Sequence, residues 1–395
     1  MRGRGGLRTR VPVLVLAGGL LLAGCSGTGE TPAPPESRTP PPPRPVSLSL
    51  SPADGADAFA PGEPVKVAAE NGTLAEVALV GADGTEVSGE RAADGAKWTT
   101  TEKLGYGKTY TLTASAKGAD GKLVEAASTF TTATPKRRVS VSVNVQDGET
   151  VGVGMPIVFM FSGNVADKDA AERALRVTAE PATEGAFHWF SDKWVTWRPK
   201  EYWKPGTKVT VDAGIYGRDL GNGTFGREDR SASFTIGDKL VAVADGSTFQ
   251  MTVSINDEVV REMPLSMGKR SSTTPTGTYT VMSEHVGYTL DSGTYGVPAD
   301  SPAGYRTWVK YAVRLSNSGI FYHSAPWSVG DQGRRNVSHG CLNLSVENAG
   351  WLMETSKRGD IVVVRNSGGR ELEPTDGWSV WQMPWDEWKS GGKKK

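Results

Sequence analysis

The chain has 395 residues, enough for two to four domains, with 44 basic and 44 acidic side chains and a formal net charge of zero. That balance leaves no global field to recruit nucleic acid or other acidic polymers, so a nucleic-acid partner is excluded on this ground. The 49 glycines and 24 prolines, with frequent threonine and valine, point to many short strands and turns and hence to a mainly β protein.

The first residues are basic (Arg2, Arg4, Arg8, Arg10) and run into an apolar stretch from Val11 to Ala23. That stretch is too short to cross a bilayer and fits a secretory signal. It closes on Leu22-Ala23-Gly24-Cys25, which resembles a bacterial lipobox, so Cys25 is expected to carry lipid and residues 1–25 to be the lipoprotein signal and its lipidation site. Several acyl chains at about 0.8 kcal/mol per buried methylene hold a protein stably on a membrane. The protein is therefore expected outside the cytoplasm, anchored to the outer face of the cell membrane and reaching into the cell wall. Residues 26–45, with the run Pro40-Pro41-Pro42-Pro43, are too polar to bury a core and read as an extended tether.

An internal repeat follows. Trp98, Gly107, Tyr110-Thr111-Leu112 and Ala114 recur as Trp197, Gly206, Val209-Thr210-Val211 and Ala213, each 99 positions later. Both copies end in a similar strand, Ser128-Thr129-Phe130-Thr131 and Ala232-Ser233-Phe234-Thr235. Tandem units of this size with alternating short strands predict two immunoglobulin-like sandwiches, residues 46–133 and 134–237, serving as a spacer or as a ligand-binding module. His188 reads as a packed strand histidine. The loop Asp219-Leu220-Gly221-Asn222-Gly223 reads as a turn; Asp219, Asn222 and Gly223 are candidate ligands for a structural calcium, although calcium wants six or more oxygens and few carboxylates are near in sequence.

A third domain is expected over residues 238–366. Lys239 to Ala244, Thr248 to Asn256 and Glu258 to Pro264 alternate apolar and polar residues around the turns Asp245-Gly246 and Asn256-Asp257, predicting an antiparallel meander. Tyr311 to Leu315 and Gly319 to His323 continue the strands, with His285 in a surface loop. Ser345 is the predicted cap of a helix carrying Val346, Ala349, Leu352 and Met353 on one face and stopping at Gly359, before a strand over Asp360 to Arg365. Residues 367–395 form a tail with Trp378, Trp381, Trp385 and Trp388, expected to dock on the third domain, with glycan stacking or membrane contact as alternatives; Lys393-Lys394-Lys395 reads as a solvated end.

The chemistry is carried by Ser338-His339-Gly340-Cys341-Leu342-Asn343 and by His323, 18 positions before Cys341. If Cys25 is lipidated, Cys341 is the one thiol in an exported protein, and its neighbours are turn formers rather than core residues. A thiolate attacks carbonyls, so Cys341 needs a base. His323, at the end of the strand Ile320-Phe321-Tyr322, is the expected base, with the Ser324 carbonyl as a candidate to orient it. His339 is a competing base or a loop-shaping residue. Gly340 permits a close carbonyl approach, and the Gly340 and Cys341 backbone N–H groups are a candidate oxyanion hole. Papain-like enzymes place the cysteine before the histidine, whereas no histidine follows Cys341.

These residues, together with Ser292-Gly293-Thr294-Tyr295-Gly296-Val297-Pro298, Gly304-Tyr305-Arg306-Thr307, Ser318-Gly319 and His323-Ser324-Ala325-Pro326-Trp327-Ser328-Val329-Gly330, resemble the YkuD-type L,D-transpeptidases, in particular their actinobacterial and mycobacterial lipoprotein branch. The resemblance covers roughly residues 46–390. It implies a fold of two Ig-like sandwiches followed by a β-rich YkuD catalytic domain with one helix after the catalytic loop. It further implies Cys341 as nucleophile, His323 as proton acceptor and donor, and Tyr305, Ser318, Gly319 and Asn343 as contacts to a donor peptide. A lid runs from about Val281 to Trp308, with Leu290 standing where relatives often place methionine. The implied activity is 3→3 cross-linking of peptidoglycan stem peptides with release of D-Ala, sensitive to carbapenems and needing no cofactor. An L,D-carboxypeptidase using the same pair, and a non-catalytic cell-wall scaffold, are the alternatives.

Overall fold

The structure, a computed structural model, describes residues 44–302 and 304–393. Cys25, the signal segment, nearly all of the tether, and Lys394 and Lys395 lie outside the described residues.

The two repeat copies are both two-sheet sandwiches. In the first, strands Ser47–Ser51, Lys66–Glu70, Lys97–Thr100 and Gly89–Arg91 form one sheet, and Gly72–Gly81, Thr109–Gly118 and Leu123–Thr131 the other. Alternation along Thr109–Gly118 sends Tyr110, Leu112, Ala114 and Ala116 inward onto Val65, Val67, Leu104 and Phe130. The second copy has two four-stranded sheets around Phe159, Trp203, Val209, Val211 and Phe234.

The repeated tryptophan has a structural counterpart that the sequence comparison did not single out. In each copy a glycine on the neighbouring strand leaves room for the indole: a β-carbon at Gly89 would lie 2.1 Å from Trp98 Cζ2, and one at Gly185 2.0 Å from Trp197 Cζ2. The register is the same, because Arg91 pairs with Trp98 and Phe187 with Trp197, each two residues beyond its glycine. Gly185→Ala is therefore expected to overpack the second sandwich and cost about 1–3 kcal/mol, read as a lower melting midpoint. An unchanged midpoint would show that Trp197 can swing aside.

The sandwiches are not loose beads. Tyr106 donates its hydroxyl to the Gly226 carbonyl at 2.6 Å and accepts the Gly217 N–H at 2.8 Å, while Tyr216 donates to the Leu104 carbonyl at 2.7 Å. The second sandwich joins the catalytic domain through backbone bonds, Gly152 N to Arg358 O at 2.7 Å and Gly154 N to Gly359 O at 2.8 Å, and through Arg358 to Glu149 at 2.7 Å.

In the catalytic domain, Leu240–Asp245, Gln250–Ile255 and Glu258–Pro264 form the expected meander, with Asn256 and Asp257 at positive φ in its turn. Ile361–Arg365 then enters parallel to Leu240–Asp245, with Gly277–Thr280 outside it. A second sheet runs Ser283–Asp291, Arg306–Arg314, Phe321–Ser324 and Leu342–Leu344, its last pair parallel. Parallel pairing forces a long crossover, and residues 325–341, which carry the cysteine loop, are that crossover.

Several expectations are corrected. His285 lies within the strand Ser283–Asp291, not in a loop. The capped helix is Val346–Thr355, with Ser345 accepting the Asn348 N–H, but it ends before Ser356; Gly359, at φ 93°, turns the chain toward the next strand. The segment expected to be a lid, about Val281 to Trp308, is a paired hairpin, in which Asp291 pairs with Arg306 and the short 3-10 turn Ser292–Tyr295 follows. The tail docks on the catalytic domain as expected, with Leu372 in its core and Gln382 donating to the Thr278 carbonyl at 2.7 Å, and beyond that expectation also on the second sandwich. Trp388 donates its indole N–H to the Ala186 carbonyl at 2.9 Å, its own carbonyl lies 3.0 Å from Nδ1 of the buried strand histidine His188, and Trp381 donates to the Gly154 carbonyl at 2.8 Å. Lys393 is held by Asp169 and Glu172 rather than solvated. The loop at Asp219 is a turn: Asp219 Oδ1 accepts the Gly221 N–H at 2.8 Å, and no three His, Cys, Asp or Glu side chains among the described residues come together as metal ligands. The calcium expectation for Asp219, Asn222 and Gly223 is not carried further.

Candidate active site

Parallel pairing of Phe321–Ser324 with Leu342–Leu344 sets His323 opposite Asn343, and Cys341, two residues earlier, shares the Asn343 face. Cys341, His323 and Asn343 therefore line one cavity of about 310 Å3 with Leu290, Tyr305, Thr307, Trp327 and His339. A larger open hollow of about 700 Å3 on the first sandwich is lined by Glu76, Arg91, Glu125 and small residues, with no cysteine or histidine. Chemistry, not volume, selects the smaller one.

His323 is buried, and its Nδ1 lies 3.0 Å from the Ser324 carbonyl oxygen. A carbonyl only accepts, so Nδ1 carries the hydrogen and Nε2 of the neutral ring holds the basic lone pair. Burial pushes this imidazole down to about 4, with the Ser324 contact opposing. The thiol of Cys341 donates to the Gly319 carbonyl at 3.4 Å. Burial pushes it up to about 11, against the opposing pull of the Phe321 backbone, the Tyr305 hydroxyl and the Arg314 charge. The resting pair is thus a neutral thiol beside a neutral imidazole.

Both shifts tie stability to pH. The histidine's folded value lies below its ordinary 6.5, so its contribution is full above about pH 6.5 and falls by about 3 kcal/mol as pH drops toward 4. The thiol's folded value lies above its ordinary 9.0, so its contribution is full below pH 9 and fades as pH rises toward 11. Iodoacetamide alkylation of the free protein at Cys341 is accordingly expected to be slow at pH 7 and to climb with a midpoint near 11. A midpoint near 9 would mean that the thiol is not held in a dry site.

The cysteine loop is held from below. Thr274 donates to the Gly340 carbonyl at 2.7 Å and accepts the Gly268 N–H at 3.0 Å, while Ser338 donates to the Cys341 carbonyl at 2.6 Å. Gly340 sits at φ 131°, which other residues resist. Its N–H, expected to be a free oxyanion donor, is taken by Ser338 Oγ at 3.0 Å. Of the two expected oxyanion donors, the Gly340 N–H is therefore already engaged. Lys269 Nζ lies 3.1 Å from Nε2 of His339, Ser272 donates to the His339 carbonyl at 2.7 Å, and the Tyr305 ring centre is 5.2 Å from the imidazole. His339 is thus tied to the loop and the lid.

Above the cysteine, Tyr305 is pinned by Ser292, whose hydroxyl oxygen accepts its N–H at 2.9 Å, and its hydroxyl meets that of Tyr295. Tyr295 covers Gly319 so closely that a β-carbon there would be 2.5 Å from its ring. Asn343 donates Nδ2 to Ser328 Oγ at 3.1 Å, leaving its buried Oδ1 without a partner. Ser318, expected to contact substrate, does not line the cavity; its hydroxyl and N–H both go to Asp376. Thr274 and Asp376 escaped the sequence reading, and Tyr295 entered it only as part of a longer stretch, because an isolated threonine, tyrosine or aspartate carries no local signal of what lies across a fold.

The molecule is thus two Ig-like sandwiches leading into a YkuD-type catalytic domain. The family model for the L,D-transpeptidase catalytic domain matches residues 239–364 and that for a bacterial Ig domain residues 56–219. The chain is 45% identical over 397 residues to L,D-transpeptidase 2 of Mycobacterium tuberculosis (strain CDC 1551 / Oshkosh), covering 98% of this chain and 97% of that protein. It is 37% identical over 403 residues to L,D-transpeptidase 5 of Mycobacterium tuberculosis (strain ATCC 25618 / H37Rv), covering 98% and 86%. A solved structure of LD transpeptidase LdtMt1 in complex with imipenem is 41% identical, with a TM-score of 0.51 over 58% of this chain and 100% of that one. The chain belongs to the L,D-transpeptidase family, whose members work without a cofactor.

Proposed function

We propose that the protein is a membrane-anchored peptidoglycan L,D-transpeptidase that forms 3→3 cross-links, with Cys341 as nucleophile and His323 as its base. The observation that carries this reading is the shared cavity of a buried thiol and an imidazole whose Nδ1 faces the Ser324 carbonyl, leaving Nε2 basic. Cys341 Sγ bonds to the carbonyl carbon of the L-centre before the terminal D-Ala of a tetrapeptide stem, and its proton passes to His323 Nε2. Because both resting groups favour the neutral state, that transfer accompanies attack rather than preceding it. The Cys341 N–H donates a hydrogen bond to the developing oxyanion, and Asn343 Oδ1 accepts one from a substrate N–H. The C–N bond then breaks, His323 returns the proton to the departing D-Ala amine, and a thioester remains.

The side-chain amine of the diamino acid at position three of a second stem attacks the thioester. Its proton goes to His323 and on to the Cys341 sulfur, so atoms and charge balance. The lid bearing Tyr295 and Tyr305 keeps water out until that amine arrives. Lipid at Cys25 would keep the enzyme on the outer face of the membrane, and carbapenems, one of which is bound by a relative, would acylate Cys341. Mass spectrometry of products from purified disaccharide-tetrapeptide tests the reading. A dimer lacking one D-Ala supports transpeptidation, tripeptide monomer alone points to a carboxypeptidase, and unchanged substrate points to a scaffold.

A further inference from the structure

Residues 316–319 form the turn that presents the Gly319 carbonyl to the Cys341 thiol; it is closed by the Leu315 N–H on the Ile320 carbonyl at 2.9 Å and braced from outside as well. Ser316 Oγ accepts the Ile320 N–H at 3.1 Å and lies 2.9 Å from Ser318 Oγ. Its outer side is held from the tail: Asp376 Oδ1 accepts the Ser318 N–H at 2.8 Å, and Oδ2 accepts the Ser318 hydroxyl at 2.5 Å. Two charge-assisted bonds to consecutive groups of one residue fix both position and orientation. The aspartate is itself fixed. Ser379 donates to its carbonyl at 2.8 Å, and the following Gly377 packs so close that a β-carbon would lie 3.2 Å from Ser316 Cα. Farther along, Gln382 donates to the Thr278 carbonyl at 2.7 Å and Trp381 to Gly154.

We infer that Asp376, on the tail beyond the catalytic domain, is a positioning residue that sets the aim of the Cys341 thiol by clamping the Ser318-Gly319 turn. The inference rests on the reading of Cys341 as nucleophile. Without the clamp, Gly319 drifts, the thiol loses its acceptor, and the neutral S–H is no longer favoured by that bond. The lid residue Tyr295, seated on Gly319, loses its floor at the same time.

The test uses the full chain and its Asp376→Ala and Asp376→Asn variants. Three readouts are taken: the rate of Cys341 acylation by a carbapenem from intact mass, the pH profile of iodoacetamide alkylation, and the melting midpoint. Asp376→Ala is expected to slow acylation tenfold or more and to move the alkylation midpoint to lower pH, with the melting midpoint within a few degrees of the parent. Asp376→Asn keeps one acceptor oxygen and should recover part of both effects. If Asp376→Ala does not fold, Asp376→Asn decides alone: slowed acylation at an unchanged melting midpoint supports the clamp, and parent values overturn it. Unchanged acylation and alkylation in Asp376→Ala likewise overturn it, as does activity lost only in proportion to folded protein. A parent chain that never acylates at Cys341 would instead defeat the reading of the nucleophile.

Discussion

Cys341→Ala is expected to abolish acyl-enzyme formation with the fold retained. The sulfur is the strongest nucleophile lining the cavity, so the loss should reach at least about 10^3-fold in turnover and appear as no mass increment after incubation with a carbapenem. The thiol is buried among Leu290, Val309, Ala312 and Phe321, and its removal leaves a gap of one sulfur, a stability cost of about 1 kcal/mol. His323→Ala should lose nearly as much acylation, because burial keeps the thiol protonated and the other imidazole lining the cavity, His339, is already engaged by Lys269. The double variant should be little worse than either single one, since the two residues act as a unit. Residual acylation of Cys341→Ala at the same site would sink the assignment. If His323→Ala alone kept parent rates, the base would have to be His339, 5.2 Å from the Tyr305 ring and already bound to Lys269.

The second large effect concerns stability. Arg198 is 2% exposed, and its guanidinium carbon lies 4.9, 5.4 and 4.6 Å from the ring centres of Trp381, Trp385 and Trp388. It also donates to the Met383 carbonyl at 2.8 Å. Burial pushes its pKa down to about 10, which still leaves it charged at neutral pH. A desolvated cation over an indole is worth up to about 2 kcal/mol, and the three rings share one cation, so the contributions do not simply add. Arg198→Ala is expected to cost about 3 kcal/mol, lower the melting midpoint by several degrees, and expose the tail to proteolysis. Acylation should slow as well if the tail clamps the Ser318 turn. An unchanged midpoint with an intact tail would show that the indole N–H bonds to Ala186 and Gly154 suffice.

Much of this was readable along the chain wherever the signal is local. The meander of the catalytic domain follows from alternation and from turn residues that tolerate positive φ, and the helix after Cys341 starts where Ser345 can cap it. The repeat placed Trp98 and Trp197 on equivalent strands, each with a glycine on the neighbouring strand that leaves room for its indole. What failed was of a different kind. His285 lies in a strand because the hairpin holding the lid is longer than its sparse hydrophobic pattern suggests. Ser318 was read as a substrate contact, whereas a carboxylate 58 positions away takes it up.

The pair proposed to carry the chemistry, Cys341 and His323, was legible in the sequence itself, since a lone thiol in a turn-forming motif and a strand-end histidine are local statements. So were the β class and the doubled sandwich, which rest on periodicity. Only the tertiary structure decided that thiol and imidazole are both neutral at rest, because that depends on how completely the folded chain excludes water from them. Only it decided that the tail spans the second sandwich and the active-site turn. Hydrogen bonds and cation–ring contacts between distant segments depend on where the chain returns, and no local pattern encodes that.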